Sequence, residues 1–171
     1  MSSMEVFMTS LDPVPPSRKA PPFALLSAVA AGILILDQVS KGMVHGWVPL
    51  YSAARFGPFF NLTHVLNTGA SFSMFPDANR AFIGLTIVIL AVLAVLHRRL
   101  AGEGALTAFG VACLWGGALG NLADRLRRGA VVDFLDFHLG VHHWPAFNVA
   151  DSAITVGVAL MFLQSIARAR K

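Results

Sequence analysis

The run Ala146–Phe162, "AFNVADSAITVGVALMF", poses the question of fold and of chemistry together. From Ser152 onward it reads as a long apolar helix, and Asp151 stands at its mouth. Eighteen residues earlier, "VVDFLDF" sets a second acid, Asp133, among valines and phenylalanines. A carboxylate in hydrocarbon costs roughly 2.5–3.5 kcal/mol at a helix centre and less near an interface. A chain that keeps two of them beside apolar runs invites a search for their use.

Composition points to a membrane. Of 171 residues 56% are hydrophobic and only 13% charged, where soluble domains carry about 25% charged residues. The net charge of +4 is modest. Its basic residues gather as "SRK", "HRR", "RLRR" and "ARARK" at the edges of apolar runs. That is the pattern of membrane flanks, not of a nucleic-acid-binding stripe, and no nucleic-acid partner is expected. The one cysteine, Cys113, lies in an apolar run, so neither an internal disulfide nor a CxxC metal knuckle is available.

Residues 1–22 are polar and proline-rich, which predicts a flexible cytoplasmic tail. Four apolar segments follow, at about 23–44, 80–97, 105–124 and 149–167. Each approaches the length of about 20 residues that a spanning helix needs. Residues 23–167 are read as a single membrane-embedded unit, with 168–171 a basic cytoplasmic end. The first segment reaches that length only by including Asp37 and Lys41, which are spaced to pair on one helix face. A basic lead-in and an "AVA" triplet also fit a cleaved leader, but the three later spans embed the chain either way.

With four spans, "SRK", "HRR" and "ARARK" fall on one side, which the positive-inside rule makes cytoplasmic. Both termini are then inside, although Arg125, Arg127 and Arg128 lie on the other side. Two long outer loops remain, 45–79 and 126–148. The run "FFNLTHVLN" in the first is rich in strand formers, and "NTG" after it reads as a turn. The fold class expected is an all-α polytopic membrane protein with a small β-rich element on the outer, periplasmic side. Trp47, Phe59, Phe60 and Trp144 fit an aromatic belt at the interface, or a lid over a bound substrate.

Two carboxylates that converge on one water share a proton; one activates the water and the other protonates the peptide carbonyl. The spacing of Asp133 and Asp151 permits such convergence without proving it. Asp151 also suits a helix N-cap, and Asp133 also suits an exposed loop acid. A metal-dependent hydrolase is a second reading, because His138, His142 and His143 lie near Asp136. A small non-enzymatic transporter subunit, with Asp and Lys on a proton path, is a third.

Four motifs in order then resemble a known family. "LDQVSK", "NLTHVLNTGASFSMF", "GGALGNLADRLRRGAVVDFLDF" and "FNVADSAITVGV" look like those of the lipoprotein signal peptidases, the type II signal peptidases of bacteria. The resemblance covers about residues 33–160. It implies a membrane-embedded aspartyl endopeptidase of the bacterial cytoplasmic (inner) membrane, with its active site at the outer face. The substrates implied are diacylglyceryl-prolipoproteins, cut just before the lipidated cysteine. It further implies that Asp133 and Asp151 are the catalytic dyad. Asn67, Gly69, Asn121, Arg125, Asn148, Asp37 and Lys41 match positions that support the site or contact substrate. Read from the residues alone, Asn121 and Asn67 also suit a helix-end cap and a turn, and Arg125 suits a lipid phosphate, a substrate carbonyl or an interfacial snorkel. No cofactor and no metal are expected; membrane lipid is an expected partner, and the chain is expected to be a monomer.

Overall fold

The computed structural model describes residues 21–69 and 78–170. The expected tail, apart from Pro21 and Pro22, lies outside them, as do residues 70–77, which include the end of the second quoted motif, and the final lysine. Four helices are long and apolar enough to cross a membrane: α1 (Phe23–Trp47), α2 (Asn79–Ala101), α3 (Ala105–Arg128) and α4 (Val149–Ala169). All four continue beyond the apolar cores read from the sequence. Polar and basic residues at their ends, such as Arg98 and Arg99 in α2 or Arg125, Arg127 and Arg128 in α3, remain helical.

Local chemistry sets the boundaries. Pro21 and Pro22 precede α1, and proline cannot sit inside a helix. Gly129, at φ +72, ends α3 in the left-handed conformation that glycine adopts without a steric penalty. At the far end of the bundle the start of α1 meets the end of α2, where the Phe23 and His97 rings lie 6.2 Å apart. Arg168 near the end of α4 reaches Glu103 between α2 and α3 at 3.4 Å.

α3 is the central helix. Half of its apolar stretch is buried, against about a tenth or less in the other three. Small residues explain how its neighbours come so close. A Cβ at Gly110 would lie 2.6 Å from the Gly157 carbonyl oxygen, and one at Gly117 would lie 2.5 Å from that of Ala150. On its other side a Cβ at Gly116 would lie 2.7 Å from the Ala30 carbonyl oxygen of α1, so the glycines of the third span pack it against both α4 and α1.

The opposite end of the bundle carries one antiparallel sheet ordered β1 (Ala53–Arg55), β2 (Phe60–Asn67), β3 (Val131–Leu139), β4 (His142–His143). Both long loops contribute to it, so the β element is larger than the first loop alone suggested. β2 pairs with β3 with a register irregularity between Leu62 and Val65, after which Val65 opposes Asp133 and Asn67 opposes Val131. A buried cluster of Val44, Val48 and Phe134, with Leu62, Leu135 and Val149 against it, fastens the sheet to the ends of α1 and α4.

Candidate active site

The start of α4 organises the site. A helix begins with free N–H groups that need acceptors. Asn148 is the N-cap: its Oδ1 accepts from the Asp151 N–H at 2.9 Å. Asp151 reciprocates by accepting from the Asn148 N–H at 3.3 Å, closing a capping box. The sequence reading weighed Asp151 itself as the cap; it is instead the third helical residue, and Asn148 three positions earlier is the cap. Asp37 of α1 satisfies a further N–H, that of Ala150, at 2.9 Å.

Asp133 reaches the same place from the sheet. It is 4% exposed, so the reading of an exposed loop acid is overturned. Its Oδ1 accepts from Asn148 Nδ2 at 2.8 Å, and its Oδ2 from Asn67 Nδ2 at 3.0 Å. Asn67 can do this because it sits diagonally across the β2–β3 ladder, on the face that Asp133 shares. It is the last residue of β2 and not only a turn residue; its Oδ1 accepts from the Gly69 N–H at 3.0 Å. Asn148 therefore bonds both carboxylates, and Asp133 and Asp151 line one cavity of about 550 Å³. Burial, followed by the neighbouring Asp151 charge, pushes the Asp133 carboxyl up to about 7 against the pull of the two amides.

The remaining residues surround this pair. Asn121 lies in the last third of α3 and is not a helix-end cap; its Nδ2 donates to Asp151 Oδ1 at 2.7 Å. Arg125, one turn on, is buried. Its guanidinium donates to the Gly69 carbonyl at 2.8 Å and to Asn79 Oδ1 at 3.3 Å, and it lies 4.7 Å over the Phe82 ring. Among the described residues its partners are protein groups. Asp37 and Lys41 do pair, at 2.8 Å, but as fully buried groups between helices, not as an exposed interfacial pair.

Several residues of the site were not singled out from the sequence. Asp124 of α3 is fully buried; it bonds Lys41 at 3.0 Å, Arg128 at 2.8 Å and the Val132 N–H at 3.2 Å. Its spacing to Arg128 was the available signal. The cavity is also lined by Trp144, which the sequence reading placed in an aromatic belt, and by Ser152, Thr155 and Val156. The last three extend it along α4, on the turn that follows Asp151.

The histidine loop does not form a metal centre as the second reading required. His138 and His143 are cross-strand partners with rings 4.9 Å apart, whereas His142 opposes Leu139 and so projects from the other face. The Asp136 carboxylate is committed to Asn61 at 2.9 Å and His143 at 2.8 Å. Burial raises it, yet the bonds to Asn61 and His143 hold it below the ordinary value. Among the described residues no three His, Cys, Asp or Glu side chains are arranged to hold a metal ion.

Comparison with known proteins places the chain in a family. A family model described as Signal peptidase (SPase) II matches residues 29–167. The chain is 43% identical over 155 residues to the lipoprotein signal peptidase of Geobacter sulfurreducens, spanning 88% of this chain and 97% of that one. It is 42% identical over 155 residues to that of Geobacter metallireducens, spanning 88% and 96%. A bacterial membrane enzyme solved by the in meso method at 2.3 Å resolution superposes with a TM-score of 0.80 at 29% identity, covering 87% of this chain and 92% of the other. These likenesses leave no place for the transporter reading. The chain belongs to the signal peptidase II family and is a multi-pass membrane peptidase of that kind.

Proposed function

We propose that this chain is an aspartyl endopeptidase that removes the signal peptide from diacylglyceryl-modified prolipoproteins, cutting just before the lipidated cysteine. Asp133 and Asp151 are its catalytic dyad. The observation that carries the reading is that the two acids, one from the sheet and one from α4, line one cavity and are bonded by the same asparagine, Asn148. The pair shares one proton, and the reading assigns it to Asp133, whose carboxyl burial and the neighbouring Asp151 charge push up to about 7. Asp151 then takes a proton from a water as that water attacks the scissile carbonyl, while Asp133 protonates the carbonyl oxygen. The tetrahedral intermediate collapses as the amine leaves with a proton from the dyad.

Asn67, Asn121 and Asn148 keep the acids in place by donating to them. Arg125 ties Gly69 and Asn79 to α3, fixing the backbone beside Asn67. Asp37 and Lys41 support the site from α1. Residues 23–167 act as one peptidase unit, working as a monomer in contact with membrane lipid. Arg98, Arg99 and Arg168 at one end of the bundle favour a cytoplasmic placement for that end and both termini. The sheet and dyad then face outward from the bacterial inner membrane.

The test is incubation of the purified protein with two lipobox peptides, one diacylated and one not. Cleavage of the diacylated peptide alone is expected, with Asp133→Asn and Asp151→Asn each accumulating uncut precursor. Equal cleavage of both peptides would sink the substrate assignment, and a variant cutting at the wild-type rate would remove its residue from the dyad.

A further inference from the structure

Three asparagines donate to the dyad, and each must hold its amide the right way round. An amide presents a donor on one side and an acceptor on the other, so a flipped asparagine would turn its oxygen against a carboxylate. Two of the three are oriented by backbone. Asn67 Oδ1 accepts from the Gly69 N–H at 3.0 Å, and Asn148 Oδ1 accepts from the Asp151 N–H at 2.9 Å. In both, the occupied oxygen leaves the NH2 group for the acids.

Among the described residues Asn121 has no such backbone partner for its oxygen. Its Oδ1 receives Lys41 Nζ at 3.0 Å, and its Nδ2 meets Asp151 at 2.7 Å. Asn148 Nδ2 also approaches Asn121 Oδ1, at 3.2 Å, but its two hydrogens are contested by Asp133 at 2.8 Å and the Val132 carbonyl at 3.4 Å. An ammonium is a different kind of partner, because it has three donors and no acceptor. All three donors of Lys41 are used, on Asp37 at 2.8 Å, Asp124 at 3.0 Å and Asn121. The group is fully buried and held between carboxylates from α1 and α3. It cannot swing away, and it cannot accept a hydrogen bond from a flipped amide.

We infer that Lys41 is a positioning residue for peptide cleavage: its ammonium locks the Asn121 amide so that an N–H donor, not an oxygen, faces Asp151. The inference rests on the assignment of Asp133 and Asp151 as the dyad. Asp37 and Asp124 are parts of the device, since they fix the lysine head and balance its charge, with Arg128 compensating Asp124 on its other side. Beyond Asn121, the charged groups facing Lys41 are Asp151 on α4 and Asp133 on β3, and its charge favours the ionised form of Asp133.

The experiment compares Lys41→Met with the charge-balanced pair Lys41→Met/Asp37→Asn, in which the Asp124–Arg128 pair remains and the asparagine can still accept from the Ala150 N–H. Folded protein is quantified for each, and kcat and KM are measured on a diacylated lipobox peptide across pH. Losing one oriented donor from such a site lowers kcat by on the order of 10²-fold. The expected result is therefore a kcat at least about 30-fold down per folded molecule with KM within threefold. The alkaline limb of the Lys41→Met profile should also move to higher pH, because the cation that favours ionised Asp133 has gone. A merely structural role would lower the amount of folded enzyme and leave kcat and the pH profile of that enzyme unchanged.

A folded double variant with kcat within threefold of wild type would overturn the inference. If both lysine variants fail to fold, Asn121→Asp decides the matter, because it keeps the acceptor for Lys41 and lacks the donor for Asp151. Wild-type kcat there overturns the inference, and a loss of at least 30-fold supports it. Asp133→Asn and Asp151→Asn run in parallel. If either cuts normally the dyad itself fails; if both are dead while the double variant is normal, only the role of Lys41 fails.

Discussion

Asp133→Asn should separate activity from stability in a way that depends on pH. In the folded protein the Asp133 carboxyl titrates at about 7, against 3.8 for an ordinary aspartate. An acid whose folded value is raised contributes stability below its unfolded value and loses that contribution as pH rises through the folded value. At about 1.4 kcal/mol per unit, ionising Asp133 at pH 8 costs about 4 kcal/mol of stability, and at pH 4 almost none. Asparagine never ionises, so the variant escapes this cost. It pays a smaller and pH-independent one. Either Asn67 Nδ2 or Asn148 Nδ2, now 3.0 and 2.8 Å from carboxylate oxygens, would face an NH2 group. A donor left without its acceptor costs about 1–3 kcal/mol.

The variant should thus be less stable than wild type at pH 4 and more stable at pH 8, with its peptidase activity down by on the order of 10⁴-fold. Taking about 2–4 °C per kcal/mol for a chain of this length, the gap in unfolding midpoint between variant and wild type should swing by about 10 °C between the two pH values. Thermal unfolding in detergent, followed at both pH values, measures the swing directly. The hydrogen-bond penalty cancels from it. A gap that stays constant from pH 4 to pH 8 would refute the claim that burial holds the proton on Asp133.

Other perturbations read other parts of the site. Cleavage of the lipidated peptide should decline as pH rises through about 7, where Asp133 loses the proton that the proposed dyad needs; a kcat/KM still rising at pH 9 would contradict this. Arg125→Lys should raise KM about tenfold, since one ammonium cannot replace a fork that spans Gly69 and Asn79, and a KM unchanged from wild type would show that the fork is dispensable. Gly117→Ala puts a Cβ 2.5 Å from the Ala150 carbonyl and should cost about 1–3 kcal/mol along with activity. Gly84→Ala, at an open position of α2, is the control, and unfolding midpoints that fall equally for both would argue against close packing of α3 on α4.

The four spans were legible because a membrane imposes length and apolarity on a contiguous stretch, and both are visible without knowing any contact. Asp133 and Asp151 were legible as anomalies, since the cost of a carboxylate beside hydrocarbon is a property of local sequence. The motif resemblance, not the spacing, joined them. What stayed hidden depends on partners far apart in the chain. Nothing near Asp124 announces Lys41, which lies on another helix, and nothing near Val131–Leu139 announces its pairing with β2. The cap of α4 was misplaced for a smaller reason. Asn and Asp are both good caps, and "NVAD" offers one of each. Only the bond from the Asp151 N–H to Asn148 decides between them.

The bond from Asp37 to the Ala150 N–H joins the first membrane helix to the first turn of the last. A nascent chain emerges from its N-terminus, so α1, carrying Asp37 and Lys41, enters the bilayer long before α4 has been made. Until α4 arrives, Asp37 and Asp124 have Lys41 and Arg128 as counter-ions, but Asp37 lacks the Ala150 N–H. On the proposed mechanism the water-activating carboxylate, Asp151, is also missing until then, because it lies in the first turn of α4. The order of synthesis therefore keeps the peptidase silent while it is being threaded into a membrane crowded with other unfinished chains.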